Sequence, residues 1–310
     1  MEQRFLTSSL PAISHLEIPY FEIHGAGDGP TLTLVAGVHG CEYTSQQAVR
    51  TFVKSIDPSR LAGRIRAVPT LNLDSFYERS PFVSPRDQKN LNRCFPGDPN
   101  GSYSDALAYF VTEELIKGSD YFIDLHAGDM VEDLFRFTIY DDSPVQDASR
   151  ALAQAYGFPF SIHQPTVDPA VTGATSQIAG GLNVPSIFAE SGGRGLVEAE
   201  AIEHHLRGLA RTVAYLKMYE PSEPIEADLP VRHLHRFVWL RSRQAGWWEP
   251  RVKVGQDLHA GDIVGTVSNL FGEVQDEIVT PVDGVSVFLT SSPAMKADGL
   301  VIGIGADEEH

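Results

Sequence analysis

Three apolar segments of this chain end in the same way, and that shared ending constrains the fold more than any other feature. In "TLTLVAGVHGCEY" (31–43) the strand-forming run of Leu32, Leu34, Val35 and Val38 breaks at Gly37 and presents His39 and Glu42. "DYFIDLHAGD" (120–129) runs through Tyr121, Phe122, Ile123 and Leu125, then presents His126 and Gly128. "VPSIFAESGG" (184–193) runs through Val184, Ile187 and Phe188, then presents Glu190 before Ser191-Gly192-Gly193. Glycine accompanies each ending, as expected where backbone must approach a ligand closely. Ligands of open α/β sheets sit beyond the carboxyl ends of the strands. Singly, His39 and His126 read equally as loop histidines, and Glu42 as a first-turn acid favoured by the helix dipole. Three such ends together point to one site.

The surrounding pattern fits such a sheet. Strands are predicted at 15–24, 31–38, 64–71, 121–126, 134–140 and 184–190, and helices at 42–56, 104–117, 144–156, 174–180 and 197–218. In the last helix Ile202, Leu206, Leu209, Val213 and Leu216 recur at steps of three and four. The alternation predicts an α/β sheet with helices on both faces. The segment 72–103 has no strong periodicity, and long irregular segments inside compact domains are usually functional. "YEPSEPIEADLP" (219–230) reads as a linker. Beyond it, turn signals at Gly255, Gly261, Gly265, Gly272 and Asp283-Gly284 replace helical periodicity and predict a small all-β domain. The expected division is 1–226 and 227–310.

Composition narrows the partners. A net charge of −17 argues against nucleic acid and anionic membrane surfaces. There is no apolar stretch long enough for a membrane span, and the N-terminal residues lack the pattern of a signal peptide. With only two cysteines, Cys41 and Cys94, a cytoplasmic protein is expected.

Catalytic zinc commonly takes three protein ligands and leaves a fourth position for water. His39, Glu42 and His126 would supply that set, leaving Glu190 as general base. In "KNLNRCFPGDP" (89–99), Arg93 offers a planar fork for a substrate carboxylate, with Asn92 and Asn90 beside it; an exposed turn is equally permitted.

Taken in order, "GVHGCE", "NLNRCFPG", "DLHAG" and "AESGG" resemble the succinylglutamate desuccinylase/aspartoacylase family, related to the zinc carboxypeptidases. The resemblance covers nearly the whole chain, trailing β-domain included. It implies a carboxypeptidase-like mixed sheet flanked by helices. It implies one zinc per chain on His39, Glu42 and His126, with Glu190 activating water and protonating the leaving amine. Asn92 and Arg93 match the pair that holds the substrate carboxylate. Aspartoacylase reads Asp-Leu-Asn-Arg where this chain has Asn90-Leu91-Asn92-Arg93. The carbonyl-polarising arginine of aspartoacylase has two candidates here, Arg79 and Arg86, neither at the aspartoacylase spacing.

The β-domain resembles the lipoyl/biotinyl-carrier type, with "TPVDGVSV" as half of its hairpin sandwich, but the expected tip "VSNLFGEV" (267–274) has no lysine to modify. A lid or specificity module is the expectation, with Trp247 and Trp248 packing at the domain interface or lining the site mouth. The resulting expectation is a zinc amidohydrolase that removes an acyl group from an N-acyl amino acid or similar small molecule bearing a carboxylate. A metallocarboxypeptidase and a non-catalytic binding protein are the alternatives, and self-association is left open.

Overall fold

The computed structural model describes residues 1–165, 172–221, 225 and 230–308. Its strands, in chain order, are β1 (Glu2–Leu6), β2 (Ile18–His24), β3 (Gly27–Ala36), β4 (Ala62–Val68), β5 (Tyr121–His126), β6 (Glu132–Leu134), β7 (Phe137–Asp141), β8 (Phe160–Gln164) and β9 (Ser186–Glu190). They continue as β10 (Arg232–Leu234), β11 (Arg236–Arg241), β12 (Gly246–Pro250), β13 (Asp257–Leu258), β14 (Ile263–Ser268), β15 (Val274–Val279), β16 (Gly284–Thr290), β17 (Ala294–Met295) and β18 (Leu300–Ala306). The α-helices among the described residues are α1 (Tyr43–Ser55), α2 (Leu73–Glu78), α3 (Tyr103–Val111), α4 (Gln146–Tyr156), α5 (Thr175–Gly181) and α6 (Ala199–Tyr215).

The main sheet has nine strands in the order β1-β2-β4-β3-β5-β9-β7-β8-β10. Its centre, β4-β3-β5-β9, is parallel, and β7 runs antiparallel to β9. Successive residues of the central strands serve opposite faces, as the pleat requires. Leu32 and Leu34 pack with Val49 and Phe52 of α1, Leu152 and Tyr156 of α4, and Leu209 and Val213 of α6. Val35 and Phe122 pack instead with Ala106, Leu107 and Phe110 of α3 and Ala179 of α5. Both faces are therefore covered, which explains why these strands read as near-continuous apolar runs.

All six predicted strands and all five predicted helices are present, with ends shifted by a few residues. The irregular segment 72–103 contains α2 and a short 3-10 turn at Leu91–Arg93. Most of the predicted linker 219–230 lies outside the described residues.

Strands β11 to β18, joined by β6, form a five-stranded and a four-stranded sheet. They are stitched to the main sheet at two places. Strand β10 extends it beside β8, and β6 crosses to pair with β16. These crossings set Phe237, Trp239, Phe288 and Leu300 against the main sheet, where they wall a cavity.

Candidate active site

His39, Glu42 and His126 come together at the carboxyl ends of β3 and β5. His39 lies on the turn after β3. The backbone there is pressed against α2: a Cβ on Gly40 would sit 2.2 Å from the Phe76 nitrogen, so only glycine fits. Glu42 occupies the N-cap position of α1 without making a capping bond. Its carboxylate turns to the histidines instead, with Oε1 2.7 Å from His39 Nδ1 and Oε2 2.8 Å from His126 Nδ1.

The opposite ring nitrogens are held from behind. Asn90 Oδ1 lies 2.9 Å from His39 Nε2, and Asp124 Oδ2 lies 2.9 Å from His126 Nε2. An amide oxygen and a carboxylate only accept, so they favour the proton on each Nε2. Both Nδ1 lone pairs then converge on the Glu42 carboxylate. Three electron-rich groups facing one another repel unless positive charge lies between them.

Further observations agree. One ligand atom from each residue falls within 4.8 Å of the others. His126 is fully buried, and despite the short separations neither ring nitrogen makes a directed hydrogen bond among the described residues. Burial disfavours a charged His126, but the Asp124 and Glu42 carboxylates outweigh it and raise its pKa well above the usual value. Burial likewise opposes a charged Glu42, and the two imidazoles overcome it, holding that carboxyl down at about 2. A pocket whose buried carboxylates favour positive charge at this point has the electrostatics of a divalent-cation site. The His/Glu/His donor set suits zinc.

Glu190 closes the site from the third strand end. Strands β5 and β9 are parallel and in register, with His126 opposite Glu190. Burial, then the Glu42 charge, pushes the Glu190 carboxyl well above its usual pKa, and its Oε2 has no hydrogen-bond partner among the described residues.

A cavity of about 170 Å³ opens beside these residues, lined by His39, Glu42, Asn92, Arg93 and Glu190. Asn92 Oδ1 accepts from the Thr175 backbone N–H at 3.0 Å. Arg93 is an exposed lining residue and donates to the Asn92 carbonyl at 2.6 Å. The structure does not bring Arg79 or Arg86 to this cavity. Arg79 ends α2 and lines a separate cleft with Tyr43, Thr70 and Phe76. Arg86 is exposed and pairs with Asp74 at 2.5 Å. Neither Trp247 nor Trp248 lines the cavity. Trp247 is half exposed, and Trp248 is buried among Val264, Val267 and Ile302 with its Nε1 donating to the Thr290 carbonyl.

Sequence reasoning missed Asp124, although it shares a strand face with His126 at the two-residue spacing of a β-strand. It also missed Glu132, a cavity residue whose carboxyl burial pushes up to about 8. Trp239 and Arg241 line the cavity from β11, and nothing local in their sequence marks them.

These features define an α/β protein with a metal-type His/Glu/His cluster and a buried carboxyl at the ends of three parallel strands. Residues 28–216 match the succinylglutamate desuccinylase/aspartoacylase catalytic domain, and the chain belongs to that family. The chain is 29% identical to the N-alpha-acetyl-L-2,4-diaminobutyric acid deacetylase of Halomonas elongata over 255 residues, 79% of this chain and 72% of that protein. Its fold matches the product-bound ectoine utilization protein EutE (DoeB) of Ruegeria pomeroyi with a TM-score of 0.85 at 23% identity, covering 98% and 93% of the two chains. A succinylglutamate desuccinylase/aspartoacylase from Rhodobacter sphaeroides matches at 0.83 and 23% identity, covering 99% and 94%.

Proposed function

We propose that this protein is a zinc-dependent deacylase that hydrolyses the amide bond of a small N-acyl amino acid. The observation that carries the reading is the convergence of both Nδ1 atoms on Glu42, with Glu190 in register beside His126. Family membership supports it, as does the deacetylase activity named for the Halomonas elongata relative. His39, Glu42 and His126 would hold one zinc, which supplies Lewis-acid polarisation and lowers the pKa of water.

The chain's own groups do the remaining work. Glu190 takes a proton from the attacking water and returns it to the leaving amine, and a carboxyl with a raised pKa is suited to that exchange. Arg93 and the Asn92 amide hold the substrate carboxylate. Phe237, Trp239, Phe288 and Leu300 exclude solvent on the far side. Residues 227–310 act as a lid over a hydrolase of residues 1–226, on a lipoyl-like sandwich that carries no cofactor. The β14–β15 turn, Asn269 to Glu273, presents Leu270 and Phe271 and has no lysine. A cavity of about 170 Å³ suits a small acyl compound better than a peptide. The two free cysteines and the strongly negative charge fit a cytoplasmic enzyme of small-molecule metabolism.

An amine-release screen tests this, using zinc-loaded protein, N-acyl amino acids and peptides of about ten residues. Release from the acyl compounds alone supports the deacylase. Efficient trimming of the peptides would favour a carboxypeptidase.

A further inference from the structure

The end of the cavity remote from Glu190 contains an acid that the chemistry above does not use. Phe137, Ile139 and Asp141 alternate along β7 and turn one face to the cavity. Phe137 lies opposite Glu190 in the β7–β9 pairing. Asp141 is four residues further along, roughly 13 Å at strand spacing. It pairs with Gln164 of β8, and Ser176 stands beside them on the cavity wall.

Asp141 is 6% exposed. The Ser176 side chain hydrogen-bonds to its carboxyl, and Oδ2 has no hydrogen-bond partner among the described residues. No cation among the described residues pairs with it. His163, the neighbouring histidine whose charge could offset it, bonds to Asp142 instead at 2.6 Å. Burial pushes the Asp141 carboxyl up to about 6. Buried carboxylates are normally paired, because an uncompensated charge away from water is costly. An unpaired one facing a cavity is complementary to a cation that arrives with the ligand.

We propose that Asp141, with Ser176 and Gln164, forms a subsite for a primary ammonium group at the far end of the substrate. The inference rests on the deacylase reading and narrows it: the substrate is an N-acyl amino acid whose side chain ends in an amine. Arg93 and Asn92 take its carboxylate, the amide lies by Glu190, and the ammonium donates to Asp141. Phe137 and Ile139 line the cavity beside the intervening methylenes.

The test compares matched substrates that differ only in the terminal group. Nα-acetyl-L-2,4-diaminobutyrate is paired with Nα-acetyl-L-norvaline, and Nα-acetyl-L-ornithine with Nα-acetyl-L-norleucine. The subsite predicts that in at least one pair the cationic member has a kcat/KM at least about tenfold higher, the scale of a charged hydrogen bond. Asp141→Asn should abolish that preference while sparing the neutral member. Equal rates within both pairs of the wild-type protein overturn the subsite without need of a variant. An equal loss on both members in Asp141→Asn overturns it too. Equilibrium binding of the same compounds to Glu190→Gln protein separates the two readings. Selective binding of the cationic member with no turnover by the wild-type enzyme would sink the deacylase and leave the subsite standing. Turnover of both members without selective binding would do the reverse.

Discussion

His126 and Glu190 end adjacent parallel strands and stand directly opposite each other in register. The sheet itself thus sets the separation between a group that could hold a metal and a carboxyl that could move protons. No loop intervenes, so the spacing is as rigid as the β5–β9 ladder. Sites built on such elements are held more closely than sites on loops.

If Glu190 moves protons without holding the metal, Glu190→Gln should retain zinc and lose about 10²–10⁴-fold in kcat. Arg93→Ala should act mainly on KM, more for anionic substrates than for neutral ones, because it removes binding common to ground and transition states. Arg93→Lys should recover only part of that loss, since an ammonium lacks the bidentate fork. Steady-state kinetics with zinc measured alongside checks all three. A near-normal kcat in Glu190→Gln would refute the proton role.

The groups behind the histidines give a second prediction. Asp124 accepts from the Thr175 hydroxyl while facing His126, and Asn90 faces His39 while capping the Leu91–Arg93 turn. Asp124→Asn and Asn90→Ala should each weaken metal affinity by about 10–100-fold without removing a ligand. Competition against a chelator of known affinity reads this directly. Unchanged affinity in both variants would mean that neither residue orients its imidazole.

The main architecture and the three strand ends were legible in the sequence because β3, β5 and β9 run into the core as apolar segments and each is followed closely by glycine. Asp124 was hidden by that same pattern. It reads as an interruption in an apolar strand, and only the fold reveals that it backs His126. Trp239 and Arg241 were beyond sequence reasoning for a different reason. They reach the cavity through the β6–β16 and β8–β10 pairings, which join segments about a hundred and fifty and seventy residues apart, a non-local contact of the kind that no short-range pattern encodes. Arg79 and Arg86 were candidates because both lie upstream of Asn92 and Arg93, where the resemblance implies an arginine, and their neighbours decided where they point: a separate cleft for Arg79 and Asp74 for Arg86.

Acid should loosen the site from behind. His205 is fully buried, accepts from the Tyr156 hydroxyl at 2.8 Å and donates to the His126 carbonyl at 3.0 Å. Burial lowers its pKa to about 3. Its folded value therefore lies below its unfolded value of about 6.5. The neutral ring contributes stability that is fully present above about pH 6.5 and is lost as pH falls towards 3, by up to about 1.4 kcal/mol per pH unit. His205→Gln can keep both hydrogen bonds and cannot titrate. Urea unfolding of the two proteins should show their stability difference shifting in favour of the variant between pH 7 and pH 5. A difference that stays constant over that range would contradict a neutral, buried His205.

The most direct test of the metal-dependent deacylase is zinc titration into chelator-treated protein, following amine release from an N-acetyl amino acid that the untreated enzyme hydrolyses. The His39/Glu42/His126 site predicts that activity disappears on chelation and returns in proportion to added zinc, saturating at about one equivalent per chain. His39→Ala and His126→Ala protein should show no such return. Hydrolysis that survives complete removal of metal, or full zinc occupancy and activity in both histidine variants, would contradict the account.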